Sequence, residues 1–296
     1  MSNTVYTGIL TADETNSFLL KGDGSRVLEE NRIWNGYIKH WVGKNVCARL
    51  LPQKDYENGE PIVIIWPDIS PANVDFMELY YNERLVKYWP SLFGHSAICV
   101  NGRIYNYSHL INENEVISIE EYFYRPALGE FAPSPSTGLF EILDDGTAYY
   151  DKFGRNFMRT IHVLRVEGIN GSRMRSIFDR FLEMIHNTPV NPKKPEKWAD
   201  FNLFTNSCST LIKHGLRKYG FSKINGFLPR DVFVSAAYEI LKYQNRENLS
   251  VSMYSMPQLK VPEAPYSKMS PITNPKNLFL NKNYLLIINY AVPISI

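Results

Sequence analysis

The pair Asn101-Gly102 stands between two runs of extended-type residues, Gly94-His95-Ser96-Ala97-Ile98-Cys99-Val100 and Arg103-Ile104-Tyr105-Asn106-Tyr107-Ser108. A two-residue Asn-Gly loop is the strongest short-range hairpin signal, because both central residues of the matching turn need positive φ. The loop also sets the register. Counting outward pairs Val100 with Arg103, Ala97 with Asn106 and His95 with Ser108, so His95, Asn106 and Ser108 are expected on one face.

Before the hairpin, short strands are expected over residues 5–10, 18–21, 45–51 and 61–66, punctuated by Gly-Asp-Gly and Asn-Gly turn signals. Val74, Met77, Tyr81, Leu85 and Tyr88 recur at spacings of three and four, which predicts an amphipathic helix over 73–88. A Pro- and Ser-rich loop follows over 126–136, then a strand over 162–166. Ser172 caps a predicted helix to residue 186, and further helices are expected over 208–219, ending at Gly220, and over 229–242. The last fifty residues read as a Pro-punctuated extended stretch closed by a strand over 284–292. The expectation is a mixed α/β (α+β) fold. Residues 1–70 form a β-rich N-terminal subdomain, 71–245 an α+β core, and 246–296 a tail that packs back on that core, all in one compact unit.

Of the 296 residues, 44% are apolar, enough for a large core, and the net charge is only +2 without long like-charge blocks. That balance argues against nucleic acid as a partner. Cys47, Cys99 and Cys208 are too few for a disulfide framework, and no pair has zinc-ligand spacing, so free thiols in a reducing compartment and no metal are expected. The N-terminal stretch lacks a signal-peptide pattern, and no run reaches the roughly 20 apolar residues of a spanning helix. A cytoplasmic protein is expected, with any membrane contact coming from its surface or an attached lipid.

The chemistry concentrates on Asn206-Ser207-Cys208-Ser209-Thr210. Asn206 or Ser207 caps the helix that follows, which puts Cys208 in its first turn. Unpaired amides and the positive end of the helix dipole bias a thiol there toward thiolate, the nucleophilic form. Leu211, Ile212 and Leu216 follow at helical spacing, so the thiol lies at the inward edge of the helix. A nucleophile of this kind needs a base. His95 opens a strand and has Asn106 or Ser108 on its face to orient the imidazole; His162, on another strand, is the substitute. The opposing reading gives each residue a packing role, with Cys208 an inert core thiol. There is no HExxH, GxSxG or phosphate-cradling glycine run, and Asp144-Asp145-Gly146 reads as a turn.

The order strand histidine (Gly94-His95-Ser96-Ala97), same-face polar residue (Asn106), helix-start cysteine (Cys208) resembles the circularly permuted papain-like group that includes lecithin:retinol acyltransferase. The likeness spans roughly residues 89–219 and implies acyl transfer or amide hydrolysis through a thioester. The chain length, the β-rich start and the late cysteine are similar to the Evf family of virulence factors, bacterial proteins that promote persistence in the insect gut. That resemblance implies a mixed α/β fold of unusual connectivity, a palmitoyl chain in thioester linkage to Cys208, no other cofactor, and association with membranes. The implied partners are a membrane lipid or acyl donor and a host target. Only Cys208 is carried over from it; His95 and Asn106 rest on the hairpin geometry.

Overall fold

The computed structural model describes residues 4–31, 37–55, 58–69, 74–86, 92–123, 125–128, 159–258 and 266–290. The expected turn at Asp144-Asp145-Gly146 and the loop from residue 129 onward lie outside the described residues. Within them the elements run β1 (Tyr6–Ala12), β2 (Ser17–Leu20), β3 (Arg26–Glu30), α1 (Tyr37–Trp41), β4 (Asn45–Lys54), β5 (Pro61–Pro67), β6 (Phe76–Asn82), β7 (His95–Val100), β8 (Arg103–Asn106), β9 (Glu115–Ile117), α2 (Ile119–Phe123) and β10 (Arg125–Leu128). The chain resumes with β11 (Ile161–Glu167), α3 (Gly171–His186), α4 (Cys208–Tyr219), α5 (Pro229–Glu247), β12 (Ser250–Met256) and α6 (Pro275–Tyr290).

The strands form two six-stranded sheets, ordered β10-β5-β4-β1-β2-β3 and β12-β11-β6-β7-β8-β9. The pairings are antiparallel, so with the helices this is a mixed α+β fold. One apolar core joins Leu10, Leu19, Val46 and Ile64 of the first sheet to Tyr80, Ala97, Cys99 and Val163 of the second. A second core joins Leu79, Ile98, Val100 and Leu164, on the opposite face of the second sheet, to Phe178 of α3, Leu211, Ile212 and Leu216 of α4, and Val232 and Ala237 of α5. The second sheet is therefore the middle of three layers.

That position corrects the helix predicted over 73–88. All seven residues from Phe76 to Asn82 are buried, in a strand held between β11 and β7. With both faces covered, the polar alternation of a half-buried strand disappears, and the five apolar residues among its seven leave gaps that match a helical spacing. Fully burying a large apolar side chain contributes roughly 1.5–3 kcal/mol, well above the helix-propensity differences that the spacing invokes.

The strand predicted over 284–292 is also corrected. Residues through Tyr290 belong to α6, which packs against α5; residues 291–292 lie outside the described residues. A nine-residue apolar run has no period to separate strand from helix. The decisive signal lies upstream: Asn274 Oδ1 accepts from the Lys276 amide at 3.0 Å, and Pro275 occupies the first turn. Smaller corrections concern ends and edges. Asn170, not Ser172, caps α3, accepting from the Arg173 amide at 2.9 Å. Helix α5 continues to Glu247. Residues 126–128, read as loop, belong to β10 at a sheet edge, where a proline is tolerated. Strand β12, inside the stretch read as tail, pairs with β11 and extends the second sheet.

The hairpin forms with the expected loop: φ is 49° at Asn101 and 82° at Gly102, and Val100 pairs with Arg103 and Ala97 with Asn106.

Candidate active site

Cys208 is the first residue of α4 and is half-buried. Its helix starts there because Ser207 and Thr210 cap each other. The Ser207 amide donates to Thr210 Oγ1 at 2.7 Å, and the Thr210 amide donates to Ser207 Oγ at 3.4 Å. Ser209 Oγ then donates to the Phe227 carbonyl at 2.5 Å and Lys213 Nζ to the Gly226 carbonyl at 2.8 Å, tying the helix to the segment that leads into α5. Packed against β7 as well, α4 brings its first residue to the residue that opens that strand, His95.

The corner before His95 is tightly specified. Gly94 has φ +77°, a region that side chains avoid, and a Cβ there would run into the Asn82 carbonyl and Ser270 Oγ. His95 lies opposite Asn82 in the ladder. Its Nε2 meets Asn106 Oδ1 at 2.7 Å, and Asn106 Nδ2 donates to the Glu113 carbonyl at 2.9 Å. A carbonyl can only accept, so this second bond fixes which end of the amide faces the ring. Nε2 therefore carries the proton, and Nδ1 is the nitrogen left for Cys208, with which the imidazole is also hydrogen-bonded.

Ser108 does not join this set. The β7–β8 ladder ends at Ala97–Asn106, and Ser108 Oγ donates to Glu113 Oε2 at 2.5 Å. Asn114 pulls the chain away: its Oδ1 accepts from the Ser108 amide at 3.0 Å while its Nδ2 donates to the Leu110 carbonyl at 2.6 Å. His162, the substitute base, lies with Glu83, Nε2 to Oε1 at 3.0 Å, and stacks on Tyr81. The imidazole at the thiol is that of His95.

Electrostatically the two residues form a pair. Burial pushes the Cys208 thiol up, but the facing His95 charge, their hydrogen bond and the amides of Ser96 and Ser209, both donating to sulfur, outweigh it and hold the thiol below its ordinary value. Burial pushes His95 down, and Arg159 adds to that. The Cys208 charge and the hydrogen bonds to Cys208 and Asn106 prevail, leaving the imidazole above its ordinary value. Both shifts favour thiolate and imidazolium. The other two thiols differ: burial, with Asp68 nearby, pushes Cys47 up to about 12, and burial pushes Cys99 up as well.

Three neighbours were missed from sequence. The Ser96 amide reaches the sulfur because it follows His95, a position that side-chain identity does not report. Arg159 is buried and acts on His95. Tyr122, also buried, lies within electrostatic reach of Cys208 and donates to Asn82 Oδ1 at 3.0 Å. Both come from distant segments with no motif of their own. Among the described residues, no three His, Cys, Asp or Glu side chains are grouped to hold a metal ion, and no helix is long and apolar enough to cross a membrane.

No family model matches the chain, and no curated protein or solved structure matches it.

Proposed function

We propose that Cys208 is the nucleophile of an acyl-transfer or acyl-hydrolysis site, with His95 as general base and acid and Asn106 as the group that orients the imidazole. The supporting observation is the relay in which Asn106 holds His95 Nε2 at 2.7 Å while the same ring is hydrogen-bonded to the thiol of Cys208. It is the arrangement expected of an activated cysteine: nucleophile, base and a third group orienting the base.

In the proposed reaction the thiolate attacks the acyl carbonyl carbon of a donor. The tetrahedral intermediate collapses as its bond to the leaving group breaks, and the His95 imidazolium protonates that group. A thioester on Cys208 and a neutral imidazole result. Water or an acceptor, deprotonated by His95, then attacks the thioester and returns the thiolate. The Ser96 and Ser209 amides, which donate to the sulfur, are the candidates to steady the oxyanion two bonds away. Strand histidine, same-face Asn106 and helix-start Cys208 also fit the permuted papain-like core.

The likeness to the Evf family adds an acyl group and a use for it: a palmitoyl thioester on Cys208 in a virulence factor that supports persistence in an insect host and associates with membranes. This is the loaded form of the same site, held without turnover. A sixteen-carbon chain gains roughly 10 kcal/mol on leaving water. The apolar cavity lined by Leu10, Phe18, Ile38 and Ile65 offers only about 20 Å³, room for about one water, so it does not seat such a chain.

Intact-mass measurement after exposure to a palmitoyl thioester tests both forms. The wild-type chain should gain one palmitoyl mass that neutral hydroxylamine removes, Cys208→Ala should gain none, and His95→Ala should load about 10²- to 10⁴-fold more slowly. Equal loading rates with and without the imidazole would remove His95 as the base. A wild-type chain that never acylates, purified or in its native host, would remove the reading.

A further inference from the structure

The segment 266–274 crosses the corner where β7 begins. Lys268 pairs with Arg84 in an antiparallel bridge, and Ser267 Oγ donates to Glu83 Oε2 at 2.9 Å. At the other end Asp231 Oδ2 accepts from the Thr273 amide at 3.1 Å and from Thr273 Oγ1 at 2.7 Å, while Asp231 Oδ1 accepts from the Asn274 amide at 3.2 Å. Between these anchors lies Ser270, fully buried with every polar atom engaged. Its amide donates to Tyr81 Oη at 2.6 Å, its carbonyl accepts from Arg230 Nη1 at 3.0 Å, and its hydroxyl donates to the Phe93 carbonyl at 2.6 Å while accepting from Tyr81 Oη at 3.2 Å.

The Phe93 carbonyl belongs to the peptide that leads into Gly94. That glycine, in a left-handed conformation, has both Ser270 Oγ and the Asn82 carbonyl against the side of its Cα where a side chain would stand. The next residue is His95. A hydroxyl some 175 positions away in sequence thus holds the peptide that aims the imidazole. Helix α4 carries the sulfur through bonds of its own, the Ser207–Thr210 box and the bond from Ser209 to Phe227. The His95–Cys208 separation therefore depends on how each of the two corners is held, and Ser270 is a buried side chain on the histidine's side.

We infer that Ser270 is a positioning residue for His95: it locks the Phe93–Gly94 corner so that the imidazole meets Cys208, and it touches neither reacting group. The inference rests on the reading of Cys208 and His95 as a working pair. Among the described residues, the charged and titratable groups acting on that imidazole are Cys208 from α4 and Arg159 from the stretch before β11; Ser270 adds no charge.

The test is the pH profile of Cys208 alkylation by iodoacetamide, read by mass, with thermal melting recorded alongside. In Ser270→Ala, and in Tyr81→Phe, which removes the hydroxyl that brackets Ser270 and keeps the ring, the rate at pH 6 should fall about ten- to a hundredfold. The midpoint should move up toward that of His95→Ala. Ser267→Ala, which cuts a bond of the same segment away from the corner, should lower the melting temperature without moving the midpoint. If Ser270→Ala melts lower but keeps the wild-type midpoint, or if Ser267→Ala moves it equally, Ser270 is structural and the inference is overturned. If Ser270→Ala fails to fold, Tyr81→Phe alone decides by the same criterion. Should His95→Ala itself leave the wild-type profile intact, the site reading fails, a result distinct from either of these.

Discussion

Asn106 donates its amide to the Glu113 carbonyl at 2.9 Å, and this bond, as much as the one to His95, makes Asn106 an orienting group. Asn106→Asp would place a carboxylate oxygen against a carbonyl and lose that bond, while giving the imidazole a negative neighbour. Asn106→Ala would leave Nε2 without its acceptor. Thioester formation should slow about ten- to a hundredfold in Asn106→Ala, less than in His95→Ala. In Asn106→Asp the alkaline limb of the rate profile should move to higher pH, because a nearby carboxylate favours imidazolium. Stopped-flow acylation across pH checks both, and an unmoved alkaline limb would count against a His95 proton in the rate step.

The three thiols should separate by reactivity. The Cys208 pKa is depressed by His95 and the Ser96 and Ser209 amides, whereas those of Cys47 and Cys99 are raised by burial. At pH 7 a single equivalent of iodoacetamide should enter the native chain, at Cys208, and all three thiols should react in denaturant. The sign for stability follows. Because the folded pKa of Cys208 lies below its ordinary value of 9.0, its contribution is present above that value and is lost as pH falls through the folded pKa. His95 runs the other way, contributing fully below its ordinary 6.5 and losing the contribution as pH rises through its raised folded value. Peptide mapping after limited labelling measures the first claim; a labelled Cys99 in the native chain would contradict it.

How much of this was legible follows from the range of each interaction. The hairpin register is local, written in Asn101-Gly102, and it put Asn106 on the His95 face. The α4 cap is local too, carried by Ser207 and Thr210. Strand β6 was misread because its burial comes from two layers that its own residues do not encode, and α6 because its start signal, Asn274-Pro275, precedes the apolar run. Ser108 failed as a partner because Asn114, six residues on, redirects the chain. Arg159, Tyr122 and Ser270 were invisible because each reaches the site from a segment far away in sequence.

Gly215 of α4 lies directly against Phe178 of α3. A Cβ there would collide with the ring of Phe178, which is fully buried. In an exposed helix Gly→Ala stabilises by up to about 1 kcal/mol. Here the overpacking cost, typically about 1–3 kcal/mol, should prevail. Gly215→Ala should therefore lower the urea midpoint, and pairing it with Phe178→Leu should recover part of the loss. Additive effects of the two changes would mean that they do not share this contact.

Asp231 offers the sharpest stability test because it is wholly buried and serves four donors: the amides of Thr273 and Asn274, the Thr273 hydroxyl and Asn277 Nδ2 at 3.2 Å. It lies in the first turn of α5, where the helix dipole also favours a negative charge. Asp231→Ala would take the shared acceptor from the part-buried amides of Thr273 and Asn274 and from the Thr273 hydroxyl, while Asn277 Nδ2 keeps its bond to the Asp231 carbonyl, so a loss of about 1–3 kcal/mol is expected. Asp231→Asn keeps the size and one acceptor oxygen but turns an NH₂ toward amides that need acceptors, and it should recover only part of that loss. Because Asp231 anchors the far end of segment 266–274, hydrogen exchange in Asp231→Asn should rise first at the amides of Thr273 and Asn274 and next at Ser270, ahead of α4. Uniform acceleration across α4 and α5 would instead mean that Asp231 supports the whole helical layer.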